Sequence, residues 1–319
     1  MSIEFINPFT QHPLSLADDG LKQNDIIVFP KINGAYRIAA DDNYTENFGF
    51  QWNRFSATQI DKTANLDISK KRFFAETGWE NEDLTGKTVL EVGSGAGRFS
   101  QIILDFTNAE LYSVDYSNAV EANYKNNGPG PRLKLFQASI YELPFAPAQF
   151  DKVICLGVLQ HTPDIERSVS SLIKMVKPGG ELVVDFYPYK GWWTKIQAKY
   201  ILRPFTKKLD HDKLYKKIDR NIDRLIKTHK FFSRIGLNKL NRFLPVCDIN
   251  GTLPKNLSYP QLREMCVLDT FDMFSPEYDQ PQKIKTITDY FKKYGMTNVW
   301  GGNIKYENYK AAIVKGNKI

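Results

Sequence analysis

From Lys87 onward, short apolar runs alternate with segments in which apolar residues recur every three or four positions. Thr88–Val92, Glu110–Val114, Leu133–Gln137, Lys152–Leu156 and Glu181–Asp185 have the length and composition of buried strands, and helical stretches follow the first, second and fourth. The helix after the fourth strand is the clearest. Ile165, Val169, Leu172, Ile173 and Val176 make one apolar stripe, and Lys177-Pro178-Gly179-Gly180 stops it. Repeated strand–helix–strand units predict an α/β fold whose parallel sheet is covered on both faces.

The pattern differs on either side of this core, which spans 66–189. Residues 1–65 break into short extended pieces and turns at Pro8, Pro13, Asp19-Gly20, Pro30 and Asn33-Gly34, predicting an N-terminal extension or cap. Residues 190–281 read as a basic helical insertion capping the acceptor side. Residues 282–319 return to the core: a helix from Lys283 to about Lys293 ends at Gly295. Asn298–Trp300 and Ala311–Lys315 then pair as a closing antiparallel hairpin around a polar loop, Gly301–Tyr309.

Composition narrows the class. The 319 residues are 42% apolar and 25% charged, enough for one large or two modest globular domains and incompatible with collagen-like, coiled-coil or wholly disordered chains. No apolar run approaches the roughly 18 residues that cross a bilayer. The first twenty residues carry no Lys or Arg to open a secretory signal, so a cytoplasmic location is the expectation. Cys155, Cys247 and Cys266 lie far apart and build neither a disulfide framework nor a four-cysteine zinc site; reduced core thiols are expected.

Charge is unevenly distributed. The net is +7, yet residues 190–242 hold sixteen Lys/Arg against four acids, so that one segment carries +12 and the remainder −5. Within it Leu214, Ile218, Ile222 and Leu225 share a helix face, with Lys213, Lys216, Lys217, Arg220, Arg224 and Lys227 on the others. A solvated helix satisfies this pattern. So does peripheral contact with an anionic membrane or a lipid-linked substrate, because Trp192 and Trp193 stand just upstream. Nucleic acid has only the charge in its favour, since no RNA-binding signature, helix-turn-helix or zinc finger accompanies it.

The most informative stretch is Val89-Leu90-Glu91-Val92-Gly93-Ser94-Gly95-Ala96-Gly97-Arg98-Phe99-Ser100. Three glycines directly after a buried strand let the backbone turn sharply and approach a ligand closely. Their spacing is G-x-G-x-G, not the G-x-G-x-x-G of dinucleotide sites, which argues against a nicotinamide dehydrogenase. Glu91, two residues before the turn, repels a pyrophosphate and suits a cationic ligand.

On these residues the chain resembles the class I S-adenosylmethionine-dependent methyltransferases, especially their small-molecule group. The resemblance covers Lys87 to Asp185 and extends weakly to the closing hairpin. It implies a Rossmann-like, doubly wound seven-stranded sheet, mostly parallel with a C-terminal antiparallel strand. It also implies that Glu91, Gly93, Ser94, Gly95 and Gly97 wrap the amino-acid part and ribose of the cofactor. Asp115, eighteen residues after Gly97, matches the family's ribose-binding acid, and Tyr116 is placed to pack on adenine. The alternative for Asp115 is a helix N-cap. Where the family commonly has an Asp that accepts from the adenine amino group, this chain has Ser139. Its hydroxyl and the amide of Ile140 remain usable, unless Ser139 simply faces solvent.

The stretch Phe150 to Asp164 matches the family's fourth-strand motif and places Gly157 to His161 under the cofactor's sulfonium. Methyl transfer is an in-line displacement that mainly needs alignment and exclusion of water. For a hydroxyl acceptor His161 can remove the proton; otherwise it orders the loop through a backbone hydrogen bond. Gln51, Trp52 and Arg54 within the aromatic cluster Phe48–Phe55, with Tyr187 and Tyr189 beyond the fifth strand, compose either an acceptor pocket or a lid. Leu268–Asp272 and Tyr278 are expected to close the opposite side.

The N-terminal segment through Asn33-Gly34 looks like a zinc-ribbon module that precedes some bacterial methyltransferases, but its cysteines are missing. A metal-free cap or partner contact is therefore expected, and no metal is called for. The reading is an enzyme that moves a methyl group from S-adenosylmethionine, leaving S-adenosylhomocysteine, to a small-molecule, glycan or lipid-linked acceptor, at oxygen. An RNA methyltransferase using the basic insertion is weakened by Leu156-Gly157-Val158-Leu159, which replaces an N-P-P-Y-type tetrapeptide. A non-catalytic scaffold is hard to reconcile with the retained Glu91, glycines and Asp115.

Overall fold

The computed structural model describes residues 3–39, 43–58, 60–64, 67–189, 191–306 and 309–319. Lys190, which opens the basic segment, and the boundary at residues 65 and 66 lie outside the described residues. Two compact units are present: Met1–Pro188 with Tyr278–Ile304 and Ala311–Ile319, and Tyr189–Glu277 with Lys305–Lys310.

In the first unit the N-terminal sequence forms β1 (Phe5–Ile6), β2 (Pro13–Ala17), β3 (Gly20–Gln23), β4 (Ile26–Ile32) and β5 (Ala35–Arg37), an antiparallel meander. Asn24-Asp25 and Asn33-Gly34 make its tight turns with positive φ at both central residues, the conformation that matches strand twist and that Asn, Asp and Gly tolerate best. β5 then runs parallel to a strand of the main sheet, with Ala35 opposite Leu135 and Arg37 opposite Gln137. The extension therefore lengthens that sheet.

Three helices follow: α1 (Glu46–Arg54), α2 (Asp61–Ala64) and α3 (Ile68–Thr77). The aromatic cluster thus sits on a helix and not in the extended pieces expected up to residue 65. The reason is visible in what α1 buries, namely Asn47, Gly49 and Gln51, which leave no apolar stripe in the sequence.

The core comprises β6 (Thr88–Val92), α4 (Arg98–Phe106), β7 (Glu110–Asp115), α5 (Val120–Asn127), β8 (Leu133–Gln137), β9 (Phe150–Cys155), α6 (Ile165–Met175) and β10 (Val176–Phe186). Strands β8-β7-β6-β9-β10 are parallel throughout. Alternate residues of each strand face opposite ways. Leu90, Val92, Val153, Cys155, Leu182 and Val184 enter one core; Val89, Leu111, Ile154, Leu156 and Val183 enter the other. Asp164 caps α6 by accepting from the Arg167 amide at 2.9 Å. α6 ends at Met175, earlier than expected: Val176 is already extended in β10, and Lys177–Gly180 lies within that strand at a register shift between Val176 and Glu181.

The second unit contains α7 (Trp192–Lys195), α8 (Ala198–Thr206), α9 (His211–Arg234), α10 (Ile249–Thr252) and α11 (Tyr259–Phe274). α9 buries Leu214, Ile218, Ile222, Ile226 and His229, so its stripe continues through Ile226, and Leu225 is only half-buried. It packs on α11, whose Arg263 pairs with Asp219 at 2.9 Å and Asp223 at 3.3 Å.

The chain then completes the sheet with α12 (Ile284–Lys293), β11 (Met296–Tyr306) and β12 (Tyr309–Lys318). β12 pairs antiparallel with β10, from Glu181↔Asn317 to Phe186↔Ala312. The strand order β8-β7-β6-β9-β10-β12-β11 is the Rossmann-like seven-stranded sheet predicted from sequence, continued by the meander to twelve strands. The closing strands are much longer than predicted: most of the expected Gly301–Tyr309 loop is strand, despite its polar residues, because an edge strand faces water. All three cysteines are buried and free. No helix among the described residues is long and apolar enough to cross a membrane.

Candidate functional site

Successive crossovers carry the chain from β6 to β7 and β8 on one side, then back to β9 on the other. This reversal between β6 and β9 leaves a crevice beyond the carboxyl ends of the strands, where open parallel sheets bind ligands. The glycine turn lies there. Gly93, Gly95 and Gly97 adopt φ of 86°, 53° and 85°. The Gly93 and Ser94 amides both donate to the Val114 carbonyl, at 2.7 and 3.1 Å, and the Gly97 amide to the Ser94 carbonyl at 2.9 Å. A Cβ on Gly93 would stand 2.1 Å from Val158 Cγ2, and one on Gly97 2.2 Å from Asn123 Oδ1. Conformation and space both require glycine.

Behind the turn Glu91 is fully enclosed. Its Oε2 accepts from the hydroxyls of Ser100 and Ser113, which the Asn123 amide also bonds at 2.9 and 3.2 Å. Its Oε1 has no partner among the described residues. Burial pushes its carboxyl up to about 7, against the lowering influence of the two serines. A buried acid with one oxygen unsatisfied fits a cationic ligand at the turn.

Asp115, at the end of β7, is not a helix cap: α5 starts at Val120, with Ala119 at the cap position. Its Oδ2 accepts from the Gly95 amide at 2.7 Å, and its Oδ1 from the Ser117 amide and hydroxyl at 2.9 and 2.6 Å. Burial raises this carboxyl, while Ser117 and the Gly95 amide lower it. Three of a carboxylate's roughly four acceptor positions are thus used, leaving one open. The Tyr116 ring lies 5.3 Å from that of Tyr44, which meets Tyr278 edge-on at 5.3 Å. Ser139 is buried, not solvent-facing, and accepts from the Tyr141 amide at 3.2 Å; Ile140 beside it is buried too.

Beyond β9, Gly157 takes φ of 79° and its amide donates to the Asp185 carboxylate. Arg72 of α3 bridges Asp185 to Glu76, the latter at 2.9 Å. Glu76 is fully buried, and burial outweighs its arginine to push the carboxyl up to about 7. Sequence reading missed Arg72 and Glu76; their spacing of four on one helix was the available signal. His161 sits in the 3₁₀ turn Leu159–His161, with Nδ1 2.9 Å from the Tyr278 carbonyl oxygen. Its ring lies 5.0 Å from Phe48 and meets Tyr187 edge-on at 5.7 Å. Next to it Gln160 is fully buried, with neither amide atom partnered among the described residues.

α1 reaches the same crevice. The Trp52 indole nitrogen stands 2.9 Å from where a Gly95 Cβ would be, and Gln51 is buried with Oε1 unpartnered among the described residues. Arg54 is exposed, its guanidinium 5.9 Å from the Phe50 ring centre. The structure therefore gathers Glu91, the glycine turn, Asp115, Ser139, Gly157, His161, Tyr187, Gln51 and Trp52 at one end of the sheet. Tyr189 and the Leu268–Asp272 stretch belong to the second unit. Among the described residues no group of three or more His, Cys, Asp or Glu is placed to hold a metal ion.

A family model described as a methyltransferase domain matches residues 90–184. A ubiquinone biosynthesis O-methyltransferase of Coxiella burnetii is 34% identical over 101 residues, 31% of this chain and 43% of that protein. O-methyltransferase rstn1 of Aspergillus nomiae is 23% identical over 123 residues, 37% of this chain and 55% of that protein. A tRNA U34 carboxymethyltransferase of Campylobacter curvus is 29% identical over 105 residues, 32% and 35% of the two chains. The match thus spans about half the length, or less, of these curated relatives. It begins within β6 and ends within β10, so the similarity to a methyltransferase domain falls on the glycine turn and the strand ends around it.

Proposed function

We propose that the chain transfers a methyl group from S-adenosylmethionine to an oxygen atom of a small-molecule, glycan or lipid-linked acceptor. The observation that carries the cofactor assignment is Glu91, whose buried and half-satisfied carboxyl lies behind a turn that only glycine can make. Bound there, S-adenosylmethionine supplies an electrophilic methyl group and leaves as S-adenosylhomocysteine. Glu91 balances the ammonium through the intervening backbone or an ordered water, and Asp115 accepts from a ribose hydroxyl. Tyr116, Ser139 and the Ile140 amide hold the adenine.

Oxygen is favoured by His161. A backbone carbonyl only accepts, so its contact with Nδ1 places the ring proton there and makes Nε2 the basic nitrogen of the neutral ring. That nitrogen can take the hydroxyl proton as the acceptor oxygen bonds to the methyl group. Two O-methyltransferases among the relatives support the same choice. Gln51, Trp52 and Tyr187 are assigned to the acceptor side; Arg54, facing solvent, is not.

Titration calorimetry with S-adenosylhomocysteine, followed by incubating cell fractions with tritiated-methyl cofactor, tests the proposal. Binding, and label in lipid, polysaccharide or small metabolites, is expected. His161→Ala should lower turnover at least about a hundredfold with cofactor affinity retained. Absence of binding would point to a scaffold, and label confined to RNA would refute the acceptor class.

A further inference from the structure

Helix α8, in the second unit, is built inside out. Along Ala198–Thr206 the buried positions are Ala198, Lys199 and Arg203, while Ile201, Leu202, Pro204 and Phe205 face outward. Phe205 is 74% exposed and Ile201 53%. A helix on a globular surface normally does the reverse. The inward arginine is held in place, its guanidinium donating to the Pro276 carbonyl, and the Thr206 hydroxyl donates to the Phe274 carbonyl at 3.0 Å. The outward apolar face is therefore fixed by polar anchors beneath it.

A second apolar edge lies in the same unit. The turn Asn238–Phe243 is a 3₁₀ helix, in which residues three apart eclipse, so Leu237, Leu240 and Phe243 line one edge; all three are exposed. Arg242 of this turn donates to the Ile196 carbonyl at 2.7 Å, and its guanidinium lies 4.9 Å from the Trp193 ring centre. It thereby joins the edge to Trp192 and Trp193, which stack at 4.0 Å and are 60% and 50% exposed. Residues 190–209 carry six Lys/Arg and no acid. Lys195, Lys208 and Lys239 are exposed, with no carboxylate partner among the described residues.

We infer that this surface docks on an anionic lipid bilayer, with α8 and the 238–243 turn lying in the headgroup plane. A polyanion alone gives Ile201, Leu202 and Phe205 no role. Lys207 pairs with Glu277 at 2.7 Å, but an apolar protein partner leaves the exposed Lys195, Lys208 and Lys239 unbalanced. An anionic bilayer answers both: the apolar side chains enter the acyl boundary, Trp192 and Trp193 sit at headgroup level, and the lysines reach lipid phosphates. Docking of this kind does not depend on methyl transfer.

Cosedimentation of the full chain with vesicles tests it, comparing phosphatidylcholine alone with equal parts phosphatidylcholine and phosphatidylglycerol. Binding to the anionic vesicles with a blue shift of tryptophan emission is expected, weakened but not abolished by high salt. The double variant Ile201→Ser with Phe205→Ser should bind about tenfold more weakly or worse at an unchanged thermal midpoint, since both side chains are exposed. Failure of the wild-type chain to bind anionic vesicles, or equal binding by the double variant, would overturn the inference. Self-association relieved by the same substitutions, without vesicle binding, would overturn it in favour of a second copy.

Discussion

Glu91 is enclosed with two serine hydroxyls on one oxygen and no partner among the described residues on the other, and its carboxyl is pushed from 4.5 up to about 7. An acid raised on folding stabilises the native state fully below its unfolded value and loses that contribution as pH climbs through the folded value. The chain without cofactor should therefore lose stability between pH 4.5 and about 7, by up to about 3 kcal/mol from this group. Glu76, also raised from 4.5 to about 7, adds a similar slope. Glu91→Gln should remove roughly half of the fall, read as the urea midpoint across that range. A bound ammonium reverses the preference by favouring the carboxylate. Affinity for S-adenosylhomocysteine should thus rise with pH through about 7, then decline at higher pH where the ligand's amino group loses its proton. Glu91→Gln should lose the rising limb.

At the scale of elements, what could be read depended on whether burial left a period in the sequence. The strands at Thr88–Val92 and Leu133–Gln137 match their predicted spans because buried parallel strands are apolar on both faces. α1 escaped notice because it buries Asn47, Gly49 and Gln51; α8 lies within the segment expected to be helical, but its inverted facing left no apolar inner stripe to read. The same limit governed the site. Glu91, the glycines and Asp115 were legible from contiguous spacing, whereas Arg72 and Glu76 reach the crevice from a helix that only tertiary packing brings there. In α9 the stripe runs through Ile222 and Ile226, with Leu225 at its margin. Ile222→Ala should cost about 2–5 kcal/mol in urea unfolding, and Leu225→Ala distinctly less; equal costs would contradict this packing.

At the scale of the whole molecule, charge and chemistry are segregated. The cofactor-side residues belong to the first unit, while the basic segment falls almost wholly within the second, which has its own helical core around α9 and α11. Units of this kind commonly unfold in separate steps, so a single two-state transition is not expected on heating. Only the first unit carries the glycine turn, and a ligand stabilises what it binds by RT ln(1 + [L]/Kd), about 2.7 kcal/mol at a hundredfold excess over Kd. For a unit of that size this raises the midpoint by about 5–10 °C. Calorimetry with saturating S-adenosylhomocysteine should therefore move one transition upward and leave the other in place. Anionic vesicles should act on the second transition instead, because Ile201, Phe205, Lys195, Lys208 and Lys239 all lie in that unit. If both transitions moved together with either ligand, the two units would be one cooperative structure, and cofactor binding would be energetically coupled to whatever the basic surface touches.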